Sequence, residues 1–551
     1  MVNRCQMKKR MLFQLFFFLS LFFFIVSCGN CFEGHGNPAS SSGFLTREQI
    51  MEIQEKLVWE TNDEYQSLGS VRAKKGGVLR SASPSFPPTL RTIGKNSSTT
   101  FNSMIEGLCY ESLLDLDPLT LKYVPNLARR WAIAEDKRTF FFEIDSRARW
   151  SDGKPVIASD VVCTWDLLVD PAIESPFSND FWGKYERPFG VASNVIMIRS
   201  KELNWRAFLS AGISLVILPS HILDGIKGKD YLEKFQNVMI PGSGPYIYES
   251  SRVNEEIVFR RRADWWQADF PKQRGYYNFD KLDFIFIQDE NLIKERFKKG
   301  DLDWLYVNVA REWNQDFVPS NMPQLSKGWI QKIKVYTHNP MGVSGIAFNL
   351  RVPPFNDKRV RRAIAHLFNR EKLMNKLFYN EYEFTDSMYP NSPYENPENP
   401  KTRFDPDKAA ELLEEAGWLQ KDRDYEGWLI KDGKRFQANL NCTSPSTERV
   451  LTVLQEDLRD LGIDLSIKMV TWATELKEVG ERNFGISYRA YGGVLFPNPE
   501  SMLHSKFANV PNSGNLFGFK NPVVDEICER YPLMFDVKDR IKAVKDVDKI
   551  V

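Results

Sequence analysis

Aromatic and β-branched runs alternate with punctuated amphipathic segments from about residue 76 onward, with no internal repeat, and this alternation confines the chain to a mixed α/β fold. Thr139 to Ile144, Glu256 to Phe259 and Leu282 to Ile287 have the length and residue types of strands. A helix over about Lys358 to Asn369 turns Val360, Ala363, Ile364 and Leu367 inward and leaves Arg359, Arg361 and Arg362 mostly to solvent. Asp405-Pro406 opens another, with Ala409, Leu412, Leu413 and Ala416 as its apolar stripe and Gly417 as its stop. A third starts near Thr447, aligns Val450, Leu451, Leu454, Leu458 and Leu461, and ends at Gly462. A chain of 551 residues exceeds what one core holds, roughly 250 to 300 residues, so two or three lobes are expected. Turn-forming residues at 337–342 and 508–514 interrupt the alternation and mark lobe boundaries with hinge character.

The N-terminus addresses the compartment. Arg4, Lys8, Lys9 and Arg10 precede an apolar run from Met11 to Val26, broken only by Gln14 and Ser20. The run falls short of the roughly 20 residues that span a bilayer, so it reads as an export signal. Ile25-Val26-Ser27-Cys28 resembles a bacterial lipobox, which implies cleavage before Cys28 and acylation of that residue as a membrane anchor. A plain secretory leader with Cys28 merely nearby is the other reading. Residues 29 to 45, rich in Gly, Ser, Asn and Pro, form a tether, followed by an amphipathic helix with Thr46 and Gln49 in a capping-box pattern and Ile50, Ile53 and Leu57 on one face.

Removing the first 27 residues leaves 69 basic against 72 acidic side chains, a balance that offers no global field for nucleic acid. The seven cysteines form no readable disulfide framework, and Cys28-x-x-Cys31 lacks a second pair for zinc. His35, His221, His338, His366 and His504 show no metal-ligand spacing. Gly-x-Ser-x-Gly is absent, as are the phosphate-cradling and dinucleotide-binding glycine motifs. The adjacent pairs Glu414-Glu415 and Glu255-Glu256 point apart and read as solvated surface. Neither catalytic residues nor a metal or cofactor is expected, and an exported multi-lobed body without them favours binding, with an interlobe cleft as the ligand's place.

Several runs, in order, resemble the family 5 extracellular solute-binding proteins, the peptide-binding components of bacterial ABC importers. They are Tyr123 to Ala128 through Trp131, Phe140 to Asp145, Ala148 to Val156 with Ser159 to Val162, Gly242 to Tyr246, Phe297 to Asp303, Phe348 to Arg351 and Pro354 to Ala363. Arg274 to Asp280, Leu377 to Tyr382, Thr385 to Ser387 and Asn512 to Asn515 look most like the microcin-type peptide-binding subgroup. Read structurally, Asp152-Gly153 is a turn, Ser159 a helix cap and Gly244-Pro245 a strand entry.

The resemblance implies an α/β two-lobe periplasmic-binding-protein clamshell with an extra subdomain. After a signal peptide over 1–27 and a tether and helix over 28–75, lobe I would comprise 76–92 plus 215–340, with a subdomain over 93–214 inserted in it. Lobe II would be 341–509. The return segment 510–551 stops where family members usually continue with strands, so truncation is expected, with an exposed sheet edge. Leu495 stands near the place of the aspartate that holds a peptide's α-ammonium in many oligopeptide binders, which removes that contact.

The expected partners are a peptide or peptide-like ligand, ABC permease subunits and the membrane, with the protein a monomer on the extracytoplasmic or periplasmic side. The ligand would lie extended and pair with Arg80 to Ser83 and Arg489 to Gly493. The ligand-binding candidates are Ser81, Ser83, Phe86, Tyr110, Trp472, Arg489, Tyr491, Gly492, Gly493 and Phe496. An exported hydrolase of peptides or cell-wall fragments is the rival class, and a scaffold or sensor without transport the third.

Overall fold

The computed structural model describes residues 45–65 and 67–551. The leader, Cys28 and most of the tether lie outside the described residues. Among those described, no helix is long and apolar enough to cross a membrane, and Cys109, Cys163, Cys442 and Cys528 are free thiols.

Three four-stranded sheets organise residues 48–551. In the first, Val78–Ser83 runs parallel to Lys281–Phe286, which pairs antiparallel with Glu256–Arg261, itself antiparallel to Tyr246–Arg252. The second, wholly antiparallel, has the order Ala128–Ile133, Thr139–Ile144, Val195–Arg199, Phe189–Ala192. The third orders Val343–Phe348, Ile486–Tyr491, Gln437–Cys442, Asp464–Met469, antiparallel in the first pair and parallel thereafter.

Sequence pattern explains these elements. Thr139–Ile144 is buried at every position, which suits a run with three consecutive phenylalanines at a sheet centre. Phe142 stacks on Phe208 at 5.5 Å, and Phe140 meets the same ring edge-on at 5.3 Å. The helix Lys358–Leu367 buries the four residues its periodicity selects, and Asp357 caps it by accepting from the Arg359 amide. Pro406–Glu415 has Asp405 as its cap, with Gly417 beyond its end at φ 86°, the left-handed value glycine tolerates. One expected cap is replaced: Ser159 lies inside Ala158–Leu168, whose cap residue is Ile157. The buried Asp160 carboxylate takes over, accepting from the Ile157 amide at 2.9 Å and from Trp150 Nε1 at 3.1 Å.

Burial divides into two main clusters. One runs from Leu90 to Leu282 and joins the first two sheets; the other runs from Phe355 to Ile486 and packs the third sheet against its helices. They share no buried residue, which is the physical basis of two lobes. The last helix, Val537–Ile550, is fastened to a loop far upstream by one carboxylate. Asp548, 5% exposed, accepts from Ser387 Oγ at 2.8 Å, the Met388 amide at 2.8 Å, the Asn396 amide at 2.9 Å and Asn399 Nδ2 at 2.7 Å.

Replacing Asp548 with Ala leaves four donors facing an apolar gap, and urea denaturation is expected to show a loss of about 3 kcal/mol. The exposed Phe177→Ala control should change stability by less than about 0.5 kcal/mol.

Candidate functional site

The strand Ile486–Tyr491 carries the densest polar chemistry of the second lobe. Alternation puts Ser487, Arg489 and Tyr491 on one face. Ser487 Oγ and Arg489 Nη2 both donate to Glu475 Oε1, at 2.8 and 2.9 Å, from the helix Trp472–Gly480. All three groups are buried. Arg489 Nε and Tyr491 Oη are buried as well and have no hydrogen-bond partner among the described residues. Burial raises the Tyr491 phenol above its ordinary value, and the neighbouring Arg489 charge opposes that only in part, so the hydroxyl keeps its proton to donate.

The backbone of this strand is paired unevenly. Gln437–Cys442 covers only Ile486 and Ser487, whereas Val343–Phe348 pairs with the whole strand. Tyr488 to Tyr491 therefore present one edge without a strand partner. Beyond it, Gly492 and Gly493 cross the 340–342 segment at backbone contact: a Cβ on Gly493 would meet the Pro340 carbonyl oxygen at 1.8 Å, and one on Gly342 the Tyr491 carbonyl oxygen at 2.5 Å.

The remaining candidates fall elsewhere. Ser81 and Ser83 lie on the outer strand of the first sheet, but its edge is already occupied. The Asp303 amide donates to the Arg80 carbonyl at 2.9 Å, the Arg80 amide donates to Asp303 Oδ2 at 2.8 Å, and Ser81 bridges Trp304. The expected pairing of a ligand along Arg80 to Ser83 thus meets protein backbone. Phe86 packs edge-on against Phe286 at 4.8 Å, and Tyr110 is a core residue whose hydroxyl donates to the Ile240 carbonyl at 2.9 Å. Trp472 is more than half exposed at the start of its helix. Phe496 packs on Trp205, and its carbonyl accepts from Arg206 Nη1 at 2.9 Å.

Sequence reasoning passed over two features. A cleft of about 1100 Å³ is lined by Phe297 to Ala310, Trp329 to Tyr336 and Glu381-Tyr382, and it includes none of the ten candidates. Its sequence signals are the run Phe297 to Asp303 and the spacing of Trp304 and Tyr306. The second is Glu111, buried and accepting from Trp265 Nε1 at 3.3 Å, Trp266 Nε1 at 3.0 Å and Gln267 Nε2 at 2.7 Å. Burial pushes its carboxyl up to about 7, with Trp266, the Lys272 charge, Ser243 and Trp265 offsetting part of the rise. A hydrolytic triad does not assemble around His221: its Nε2 contacts Asp152 Oδ2 at 2.6 Å, while the adjacent Ser220 hydroxyl bonds Asp160 at 2.5 Å instead.

Two lobes with separate cores are the architecture of the two-lobe solute receptors built on the periplasmic-binding-protein fold. Residues 122–514 match the bacterial extracellular solute-binding proteins, family 5 Middle, and the chain belongs to that family. It is a substrate-binding protein of the ABC importer type and not an enzyme. The peptidoglycan-binding protein YepA of Agrobacterium fabrum is 26% identical over 540 residues, covering 89% of this chain and 85% of that one. The oligopeptide-binding protein AppA of Bacillus subtilis, solved with a nonapeptide, superposes with a TM-score of 0.67 at 22% identity over 87% of this chain and 91% of its own. NikA of Brucella suis, solved with Fe(III)-EDTA, gives 0.71 at 19% over 86% and 91%.

Because the folded Glu111 holds its proton more tightly than the ordinary value of 4.5, stability should fall as pH rises from about 4.5 through about 7 and level above it. Glu111→Gln should remove that slope in thermal melts across this window; parallel profiles for the two proteins would contradict the assignment.

Proposed function

We propose that this chain is a lipid-anchored extracytoplasmic receptor, acting as a monomer, that captures peptides or peptide-like compounds between its lobes and delivers them intact to an ABC permease. In this reading lobe I comprises 76–92 plus 215–340 with the subdomain 93–214 inserted, lobe II comprises 341–509, and 510–551 returns toward lobe I. The observation that carries it is the unpaired edge of Tyr488 to Tyr491 beside two buried donors without partners, Arg489 Nε and Tyr491 Oη. An extended peptide satisfies both at once: its backbone continues the sheet, and a carbonyl or carboxylate oxygen accepts from the side chains. Main-chain pairing ignores ligand sequence, and contacts made by both lobes favour closure.

The relatives' names support cargo of this kind, since AppA was solved with a nonapeptide and YepA is named for peptidoglycan, whose glycan carries short peptides. The likeness to the microcin-type subgroup agrees with peptide-like cargo. Leu495, apolar and partly exposed, offers no counter-charge to an α-ammonium, which favours ligands whose amino end is blocked. Anchoring rests on Ile25-Val26-Ser27-Cys28, outside the described residues.

Mass spectrometry of compounds co-purifying with the protein identifies the ligand, and calorimetric titration then tests the wall. Tyr491→Phe should weaken binding about three- to tenfold without changing the unfolding midpoint. Arg489→Lys keeps a charge for Glu475 and should weaken it about tenfold; unchanged affinity in both folded variants overturns the reading. Cys28→Ala should move the exported protein from the detergent phase to the aqueous phase, and retention in detergent would refute the anchor.

A further inference from the structure

Trp205 lies where three distant stretches of chain meet. Its amide donates to the Pro532 carbonyl at 2.9 Å, and its ring packs edge-on against Phe496 at 6.1 Å and Tyr531 at 5.9 Å. Two cations stack on this one ring, the Arg206 guanidinium at 4.4 Å and the Arg540 guanidinium at 4.0 Å. Neither forms an ion pair with any described residue. The cation nearest in effect to Arg206 is of its own sign: burial lowers its pKa and the Arg540 charge lowers it further, against the opposing pull of the Tyr531 and Tyr394 phenols. Two like charges drawn partly out of water without a carboxylate between them are costly to hold.

Three donors around the same ring lack an acceptor. Trp205 Nε1, Tyr531 Oη and Arg540 Nε are shielded from solvent and have no hydrogen-bond partner among the described residues. Trp205 is 9% exposed and Tyr531 1%. Tyr531 Oη lies near the Arg206 guanidinium without a well-formed hydrogen bond, and burial, which raises its pKa to about 12, keeps the proton in place for donation. Buried polar groups are paired almost without exception, so orphaned donors beside two unneutralised cations call for one acceptor that carries negative charge. The donors that remain give its shape. Arg206 has committed both Nη atoms to the Phe496 and Pro497 carbonyls, and Arg540 has committed Nη1 to those of Met534 and Phe535. Single donors from three residues suit a small sphere, whereas a carboxylate or phosphate seeks the parallel pair of a free fork.

We propose that Trp205, Arg206, Tyr531 and Arg540 form a site for one small anion, a halide of chloride size, that accepts from Trp205 Nε1, Tyr531 Oη and Arg540 Nε and neutralises the two guanidiniums. The site shares no residue with the wall of Arg489 and Tyr491. The ion ties 204–206 to 496–497 and 531–540, so chloride stabilises this junction as a ligand does.

The mature chain is melted in sodium gluconate while chloride replaces gluconate at constant ionic strength. A saturating rise of the unfolding midpoint by about 2 °C or more is expected, reproduced by bromide and not by sulfate. Tyr531→Phe and Trp205→Phe each keep an aromatic ring and remove one donor, and each should weaken chloride binding about ten- to hundredfold. Crystals soaked in bromide should give an anomalous scattering peak within hydrogen-bonding distance of Trp205 Nε1 and Tyr531 Oη. An unresponsive midpoint, an equal saturating response to sulfate, or an unchanged chloride dependence in both folded variants overturns the proposal. Density at the site without anomalous signal also overturns it, by assigning the three donors to a water.

Discussion

Burial of apolar surface in two clusters, one from Leu90 to Leu282 and the other from Phe355 to Ile486, obliges the chain to cross between two bodies that cannot merge. At the crossing of 340–342 with 491–493 backbone meets backbone at close range: a Cβ on Gly493 would lie 1.8 Å from the Pro340 carbonyl oxygen. Gly342 and Gly493 sit where a Cβ would overlap a carbonyl oxygen, so the start of Val343–Phe348 is fastened directly to the end of the strand Ile486–Tyr491. Any movement of that crossing is passed to Tyr491 to Gly493 through direct backbone contact.

The strand Ile486–Tyr491 also shows how one buried charge fixes a strand to its neighbouring helix. Arg489 neutralises Glu475, which would otherwise be a buried carboxylate with only the Ser487 hydroxyl for company. That pairing uses one arm of the guanidinium and leaves Nε directed elsewhere. A planar fork divides its donors in this way, and an ammonium group does not. The ion pair therefore keeps the strand in place while one donor of the guanidinium stays unengaged.

The fold was largely legible because its local signals agree with its tertiary ones. The helix Lys358–Leu367 buries the residues a 3.6-residue period selects, and the aromatic run Thr139–Ile144 occupies a sheet centre. Motif order carried the family. The site was legible only in part: Arg489 and Tyr491 stand together on one face, whereas Tyr110 proved to be core and Phe86 a packing residue. An aromatic residue reads alike whether it lines a cleft or fills an interior, since apolar character says nothing about which neighbours arrive. The occupied edge at Arg80 and the open one at Tyr488 depend on which strands meet, information that spans up to 223 residues of sequence for the Asp303 contact alone. Ser159 lost its cap role to Asp160 for a similar reason, because Trp150 and Ser220 converge on the carboxylate from outside the helix.

The carboxylate of Asp548 sets a timetable. The loop containing Ser387, Met388, Asn396 and Asn399 has its acceptor 149 residues or more downstream, so during synthesis it waits about seven to thirty seconds for the atom that organises it. Until then that part of the nascent chain has polar groups without a destination, and a protease or a chaperone would find it open. The last helix is thus the clasp that ends the vulnerable period of the chain's biogenesis.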